Sequence, residues 1–397
     1  MTRLVVLAML PFGCAGDCPI SEPPPTDLVI EQIRTRAPSI GEATLIVGPD
    51  GTSVLIDVAN DAHDGAVREA IQTHVGTLRV DWVVLTHYHA DHIGGFDALF
   101  DPDDKEPVTV ARGVVVRGGH VGRGPSAGEL EHLEATLTHP NFDAPLHSLC
   151  DEQACTGLLQ GDLTDPDDGG PTFIPLGDGA RLYLTHANGV LAVDGTLLDA
   201  ADAGVDIGTD GDDAENARSL GGVLRFGDFD YAFSGDLTGG GGGTADVESF
   251  IAENAASPWP AEGVDLLHLS HHGLNTSNND RWVSWLLPGG DRNAVMGANG
   301  TYVGAPSRAV LERVAAGIGD GRVWATAVGR FAGRHDCLEV VRGGVVVRVL
   351  DGGATYEITE RHGEEECSGL LFASINPATS ARFTNCSSAS GSYARSV

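Results

Sequence analysis

Residues 86–92 read Thr86-His87-Tyr88-His89-Ala90-Asp91-His92, which places four metal-ligating side chains within one short stretch. The stretch follows residues 81–85 (Asp-Trp-Val-Val-Leu), a continuous apolar run of buried-strand type. On an extended turn His87 and His89 face the same way, while Asp91 and His92 turn toward a second centre. Imidazole and carboxylate donors suit zinc, with manganese or iron admitted where oxygen ligands add. Two strands of the second half also end in polar residues. Residues 230–233 run into Ser234-Gly235-Asp236, and residues 264–269 run into Ser270-His271-His272-Gly273. Gly124-Pro125-Ser126-Ala127-Gly128 fits a serine-nucleophile pattern, but Ser126 stands three before Glu129 at a helix start and reads as a helix cap instead.

The elements that must position these groups alternate between strand and helix. Residues 44–47 and 53–57 are short β-branched runs separated by Pro49-Asp50-Gly51, a hairpin signal. Helices are expected over 64–75, 126–138, 280–286 and 310–316, and further strands over 114–116, 222–226, 323–328 and 345–350. Residues 182–186 (Leu-Tyr-Leu-Thr-His) alternate like a strand that ends in His186. Residues 162–171 and 194–213 read as solvated acidic loops. Two stacked sheets flanked by helices are therefore expected. Residues 27–350 form the main domain, and the Ser-, Thr- and Cys-bearing residues 351–397 form a small extension.

Charge narrows the partners. Lys and Arg number 24 against 56 Asp and Glu, a formal net charge of −32, and Lys105 is the only lysine. No basic patch exists to neutralise a long phosphate backbone, which disfavours tight binding to long nucleic acid. No apolar run is long enough for a membrane-spanning helix. Residues 1–26 begin Met1-Thr2-Arg3, continue through a short apolar stretch to Gly13-Cys14, and end in a Pro-rich tether, which reads as an export signal. It resembles a bacterial lipoprotein signal, which implies a lipid on Cys14 as the one membrane contact and a periplasmic, envelope or extracellular location. Beyond Cys14, six cysteines remain, an even set that suits disulfides; Cys150 with Cys155 and Cys367 with Cys386 are the simplest local pairs.

The His-x-His-x-Asp-His run resembles the metal motif of the metallo-β-lactamase superfamily, which implies an α/β fold, an αββα sandwich of two mixed sheets flanked by helices. On that resemblance Asp57 supports the metal loop from below and Asp236 bridges two metals. His186 is the third histidine of the first site, in competition with His120 and His147, and His272 is preferred to His271 as the final ligand. The first metal is then held by His87, His89 and His186, and the second by Asp91, His92 and His272. The chain is more closely similar to the branch of the competence-protein hydrolase domain and the phosphorylcholine esterases. Glu215-Asn216-Ala217-Arg218-Ser219-Leu220 and the 299–307 segment resemble that branch's substrate-side segments, which makes Asn216, Ser219, Asn299 and Tyr302 substrate-side candidates. Ala305 stands where the branch has His.

The resemblance implies an exported hydrolase with two divalent ions, zinc first, that attacks a small phosphodiester or head group through a metal-bridging hydroxide. His271 or a protonated Asp91 delivers the leaving-group proton. Hydrolysis of a carboxylic ester, lactone or β-lactam is the alternative within the same chemistry, and a non-catalytic exported binding module the alternative outside it.

Overall fold

A computed structural model describes residues 27–119, 127–165, 169–209, 211–361 and 393–396. The export signal, Cys14, Cys18, His120, Ser126, Cys367 and Cys386 lie outside the described residues.

Two mixed sheets stack face to face. The first runs, edge to edge, through Tyr393–Ser396, Thr355–Arg361, Gly344–Leu350, Leu28–Gln32, Thr44–Val47, Ser53–Ile56, Arg79–Leu85, Thr109–Gly118 and Leu146–Cys150. It is antiparallel up to Ser53–Ile56 and parallel from there on. The second holds Arg181–Ala187, Gly221–Phe226 and Phe229–Phe233 as antiparallel neighbours, then Leu266–His268, Asn293–Met296 and Val323–Ala325 in parallel.

Period-two alternation sorts the side chains. Val54, Ile56, Trp82 and Val84 face inward and meet Leu182, Leu184, Leu224, Tyr231 and Phe233 of the other sheet in one apolar core. Leu55, Val83 and Leu85 face outward and pack under the helix Asp64–Val75. Val223, Ala232 and Leu267 do the same under the helices Val247–Asn254, Asp280–Leu286 and Arg308–Gly317. The result is the αββα sandwich that the sequence implies. Among the described residues no helix is long and apolar enough to cross a membrane.

The structure departs from expectation at two places away from the site. Thr355–Arg361 pairs along its whole length with Gly344–Leu350, so the stretch after residue 350 continues the first sheet instead of opening a separate extension. The burial of Tyr356 and Ile358 in the inter-sheet core explains it. Residues 194–213 are also not wholly loop, since Thr196–Asp199 pairs with Val190–Val193 and Asp212–Asn216 is a short helix.

In each sheet, antiparallel pairing gives way to parallel pairing beside the strands that lead into the ligand-bearing loops. Asp57 and Thr86 follow one such pair, Ser234 and Ser270 the other. Carboxyl ends of strands at a switch point leave a crevice that no crossover covers. Close approach is needed to bring these pairs together. A Cβ on Gly222 would run into the backbone carbonyl of Tyr183 on the neighbouring strand. We therefore expect Gly222→Ala to destabilise the fold by roughly 1–3 kcal/mol, measured by urea unfolding, with no direct change to any ligand; unaltered stability would show that this strand pair has slack.

Candidate metal centre

The loop after Arg79–Leu85 is fixed from beneath. Asp57 sits in left-handed backbone (φ 56°) at the end of its strand and accepts three hydrogen bonds. They come from the Thr86 backbone N–H (2.7 Å), the Thr86 hydroxyl (2.7 Å) and His92 Nδ1 (2.7 Å). The last contact leaves His92 Nε2 pointing away from Asp57 into the centre, a carboxylate–imidazole arrangement that orients a ligand. Glu215 holds the other side of the loop: it accepts from the Tyr88 N–H (2.9 Å) and is clamped by the buried Arg117, which contacts both carboxylate oxygens at 2.7 Å.

Asp236 is the hub. Its carboxylate lies 3.3 Å from His92 Nε2, 3.6 Å from His87 Nε2, 3.7 Å from His271 Nε2 and 3.9 Å from His272 Nε2. His87 Nε2 and His89 Nδ1 are 3.1 Å apart. His272 Nε2 and Asp91 Oδ2 are 3.2 Å apart. Two candidate ligand groups thus share Asp236: His87 and His89 on one side, and His92, His272 and Glu42 on the other, with Asp91 beside His272. Buried His89 Nε2, His92 Nε2 and Asp236 Oδ1 have no hydrogen-bond partner. Orphaned nitrogens and oxygens of this kind, all buried, are costly unless something electropositive satisfies them. The donor set fits divalent ions.

Residues the sequence reading did not single out complete the surroundings of His272. Glu42 is fully buried, with one oxygen 2.8 Å from His272 Nδ1 and the other 2.6 Å from His268 Nε2. His272 Nδ1 also lies 3.0 Å from the Gly297 carbonyl. Burial alone would raise the Glu42 carboxyl, but the His268 and His272 imidazoles outweigh burial and hold it at about 2. The signal was present as alternation. Glu42 falls two before Thr44 and four before Ile46, and His268 two after Leu266, so each continues an inward-facing row.

Each sequence-expected site residue has a definite place. His87, His89, Asp91, His92, Asp236 and His272 converge, and Asp57 lies beneath them. His271 approaches Asp236 from the rim, with Nδ1 2.8 Å from the Thr276 hydroxyl and Nε2 3.4 Å from Asn216 Nδ2. Both His271 and His272 adopt left-handed backbone (φ 53° and 54°), which splays adjacent rings into different positions around one carboxylate. Tyr302 donates to Asp91 Oδ2 (2.8 Å) and stacks on the His272 ring at 3.9 Å.

His186 lies outside both candidate ligand groups, although its buried Nε2, like those of His89 and His92, has no hydrogen-bond partner. The pairing of its strand with Gly221–Phe226 slips between Gly221 and Gly222, and this irregularity breaks the alternation that put His186 in line with Leu184. Its ring stacks on Trp259 of the helix-covered core, and burial alone lowers it to about 3. Its competitor His147 packs against Trp82, also away from the centre. Ser219 and Asn299 are fully buried. Ser219 Oγ accepts from the Asp236 N–H (3.1 Å), and Asn299 ties the 35–39 segment through Ser39 O (2.6 Å). Burial would raise the Asp91 carboxyl, but His92 and His272 hold it well below the usual range.

Fold and site together define an αββα protein with a candidate metal centre, and a family model matches part of it. Residues 36–183 match the family model of the metallo-beta-lactamase superfamily, a stretch that contains Asp57 and the whole Thr86–His92 loop. Over that stretch the chain is similar to the metallo-beta-lactamase superfamily. No curated protein matches the chain. Among solved structures it is similar to a diphosphatase from the PhnP family, 13% identical over 81% of this chain and 97% of that one, with a TM-score of 0.37. It is also similar to a putative metal-dependent hydrolase from Parabacteroides distasonis, 10% identical over 71% and 92% of the two chains, at 0.29. A long form RNase Z from yeast is 10% identical over 85% of this chain and 49% of that one, at 0.37, so this chain spans about half its length.

Removing the charge behind His272 should loosen the centre without emptying it. Glu42→Gln is expected to weaken divalent-metal affinity by roughly 10- to 100-fold, read by competition with a chromophoric chelator. His186→Ala should lower thermal stability yet keep wild-type metal stoichiometry; loss of one equivalent would return His186 to the ligand set.

Proposed function

We propose that the chain is an exported hydrolase that uses two divalent ions, zinc in the first instance, to cleave small phosphodiesters. It would then be related in chemistry to the competence-protein hydrolase and phosphorylcholine esterase branch. The observation that carries the reading is the sharing of Asp236 by two histidine-bearing groups. His87, His89 and Asp236 would hold one ion, and Asp91, His92, His272 and Asp236 the other. Such a pair supplies Lewis acidity at phosphorus and lowers the pKa of a water molecule, without a Ser or Cys nucleophile.

The rest is done by the chain's own residues. Asp57 and Glu42 fix the imidazoles of His92 and His272, so the centre is oriented before substrate arrives. Asp91 is held by Tyr302 as well as by His272. His271 is the residue placed to hand a proton to the leaving oxygen. Its side chain keeps 18% exposure where Asp236 has 3%, which leaves its ring at the rim of the centre. Asn216, whose Oδ1 is buried without a partner beside it, remains a substrate-side group.

Net charge −32 favours a small substrate over a polymer, since anionic strands meet repulsion outside the centre. Export and a lipid on Cys14 are part of the proposal. The bonded pair Cys150–Cys155 supports the first, because disulfides persist in oxidising compartments.

The test uses the chain without residues 1–13, loaded with zinc or manganese, and bis(p-nitrophenyl) phosphate. Turnover is expected, and His87→Ala should abolish it. A metal-loaded protein that spares phosphodiesters but opens a lactone or nitrocefin would replace this reading. Proton delivery is tested separately with His271→Gln. Its rate should fall by about 100-fold or more for a diester with an alcohol leaving group, and far less for p-nitrophenolate, which departs unprotonated near neutral pH. Equal losses on both substrates would remove His271 from the donor role.

A further inference from the structure

A cleft of about 610 Å³ lies apart from the metal centre, and four arginines line it: Arg34, Arg36, Arg342 and Arg361. Its opposite wall is the first turn of the helix Asp64–Val75. None of the lining residues belongs to either ligand group. Four guanidiniums around one cavity stand out in a chain with 24 basic residues against 56 acidic ones.

The charges in the cleft are not all compensated. Arg361 is held by Glu31 (2.7 Å) and Glu69 (2.7 Å), and Asp64 on the helix faces Arg68 at 3.6 Å. Arg36 and Arg342, both exposed, make no ion pair and no side-chain hydrogen bond among the described residues. In so acidic a protein, cations without acidic partners are unexpected unless an anion from outside takes that place.

We propose that this cleft is a binding site for a small oxyanion carrying two or more negative charges, with pyrophosphate as the simplest probe. Guanidinium forks match phosphoryl oxygens pairwise. Long polyanions are turned away by the acidic remainder of the surface, and a compact ligand fits the cavity. The site does not depend on the phosphodiesterase reading, since no lining residue touches the metal ligands.

The segment that forms one wall of the cleft also separates it from the metal centre. Pro38 O and Ser39 O accept from Thr301 and Asn299, and the Gly41 N–H donates to Tyr302 Oη (3.1 Å). A test must therefore separate anion binding in the cleft from anion binding at the metals. The metal-loaded full chain is titrated with pyrophosphate by calorimetry, beside Asp236→Ala and the double variant Arg36→Ala/Arg342→Ala. Binding that persists in Asp236→Ala, weakens at least tenfold in the arginine double variant, and falls with added salt is the expected result. Chelator-treated wild-type protein stands in for Asp236→Ala if that variant does not fold. Binding that disappears with Asp236 or with the metals and is untouched by the arginine changes would overturn the proposal, as would no binding at all. In both cases the phosphodiester assay keeps its own outcome.

Discussion

A carboxylate buried among imidazoles governs this molecule. Asp236 is cut off from water, its oxygens face four histidine rings, and one of them has no hydrogen-bond partner. An ionised carboxylate in such a place survives only where positive charge is supplied locally. The imidazoles converge from both sheets, two from the loop after Arg79–Leu85 and two from the loop after Leu266–His268. The two sheets must therefore keep a fixed relative position, and the continuous inter-sheet core of Val54, Trp82, Leu224 and Phe233 secures it. Packing and electrostatics are coupled here: a shift of one sheet against the other would open distances of 3–4 Å on which the whole centre depends.

The supports of the centre follow one design, applied twice. On the first sheet a strand-end carboxylate, Asp57, turns one face of His92 so that the other face is free. On the second, His272 receives the same treatment from Glu42, which reaches across from the first sheet. Glu42 is thus an inter-sheet strut as well as an orienting group, with His268 on its other oxygen. Left-handed backbone at Asp57, Ala59, His271 and His272 shows where the chain accepts an unfavourable conformation to place these groups.

How much of this was legible in the sequence depended on whether a signal was local. The Thr86–His92 run announces itself because its ligands are adjacent, and the strand before it is a plain apolar run. The helix expected over 64–75 is found as Asp64–Val75, and the hairpin that ends at Asp236 is found where expected. Glu42 escaped notice because alternation turns it inward without saying what it meets there; only the partner sheet gives it His272 and His268. His186 misled for the opposite reason. Its strand alternates correctly through Leu182 and Leu184, and a slip of one residue, invisible in composition, turns its ring to the wrong side.

The contrast between the centre and the arginine cleft shows how an acidic chain distributes its few cations. At Glu215 and Glu31, arginines neutralise carboxylates that hold the architecture together, and those pairs are buried or nearly so. The chain carries 56 acidic side chains against 24 basic ones, so the field around the protein is repulsive to anions except where positive charge is concentrated. The metal ligands mark one such place and the cleft beside the helix Asp64–Val75 the other, with the 34–43 segment between them. That segment carries Arg34 and Arg36 on the cleft side and Glu42 on the centre side, and between them Pro38, Ser39 and Gly41 tie it to Thr301, Asn299 and Tyr302.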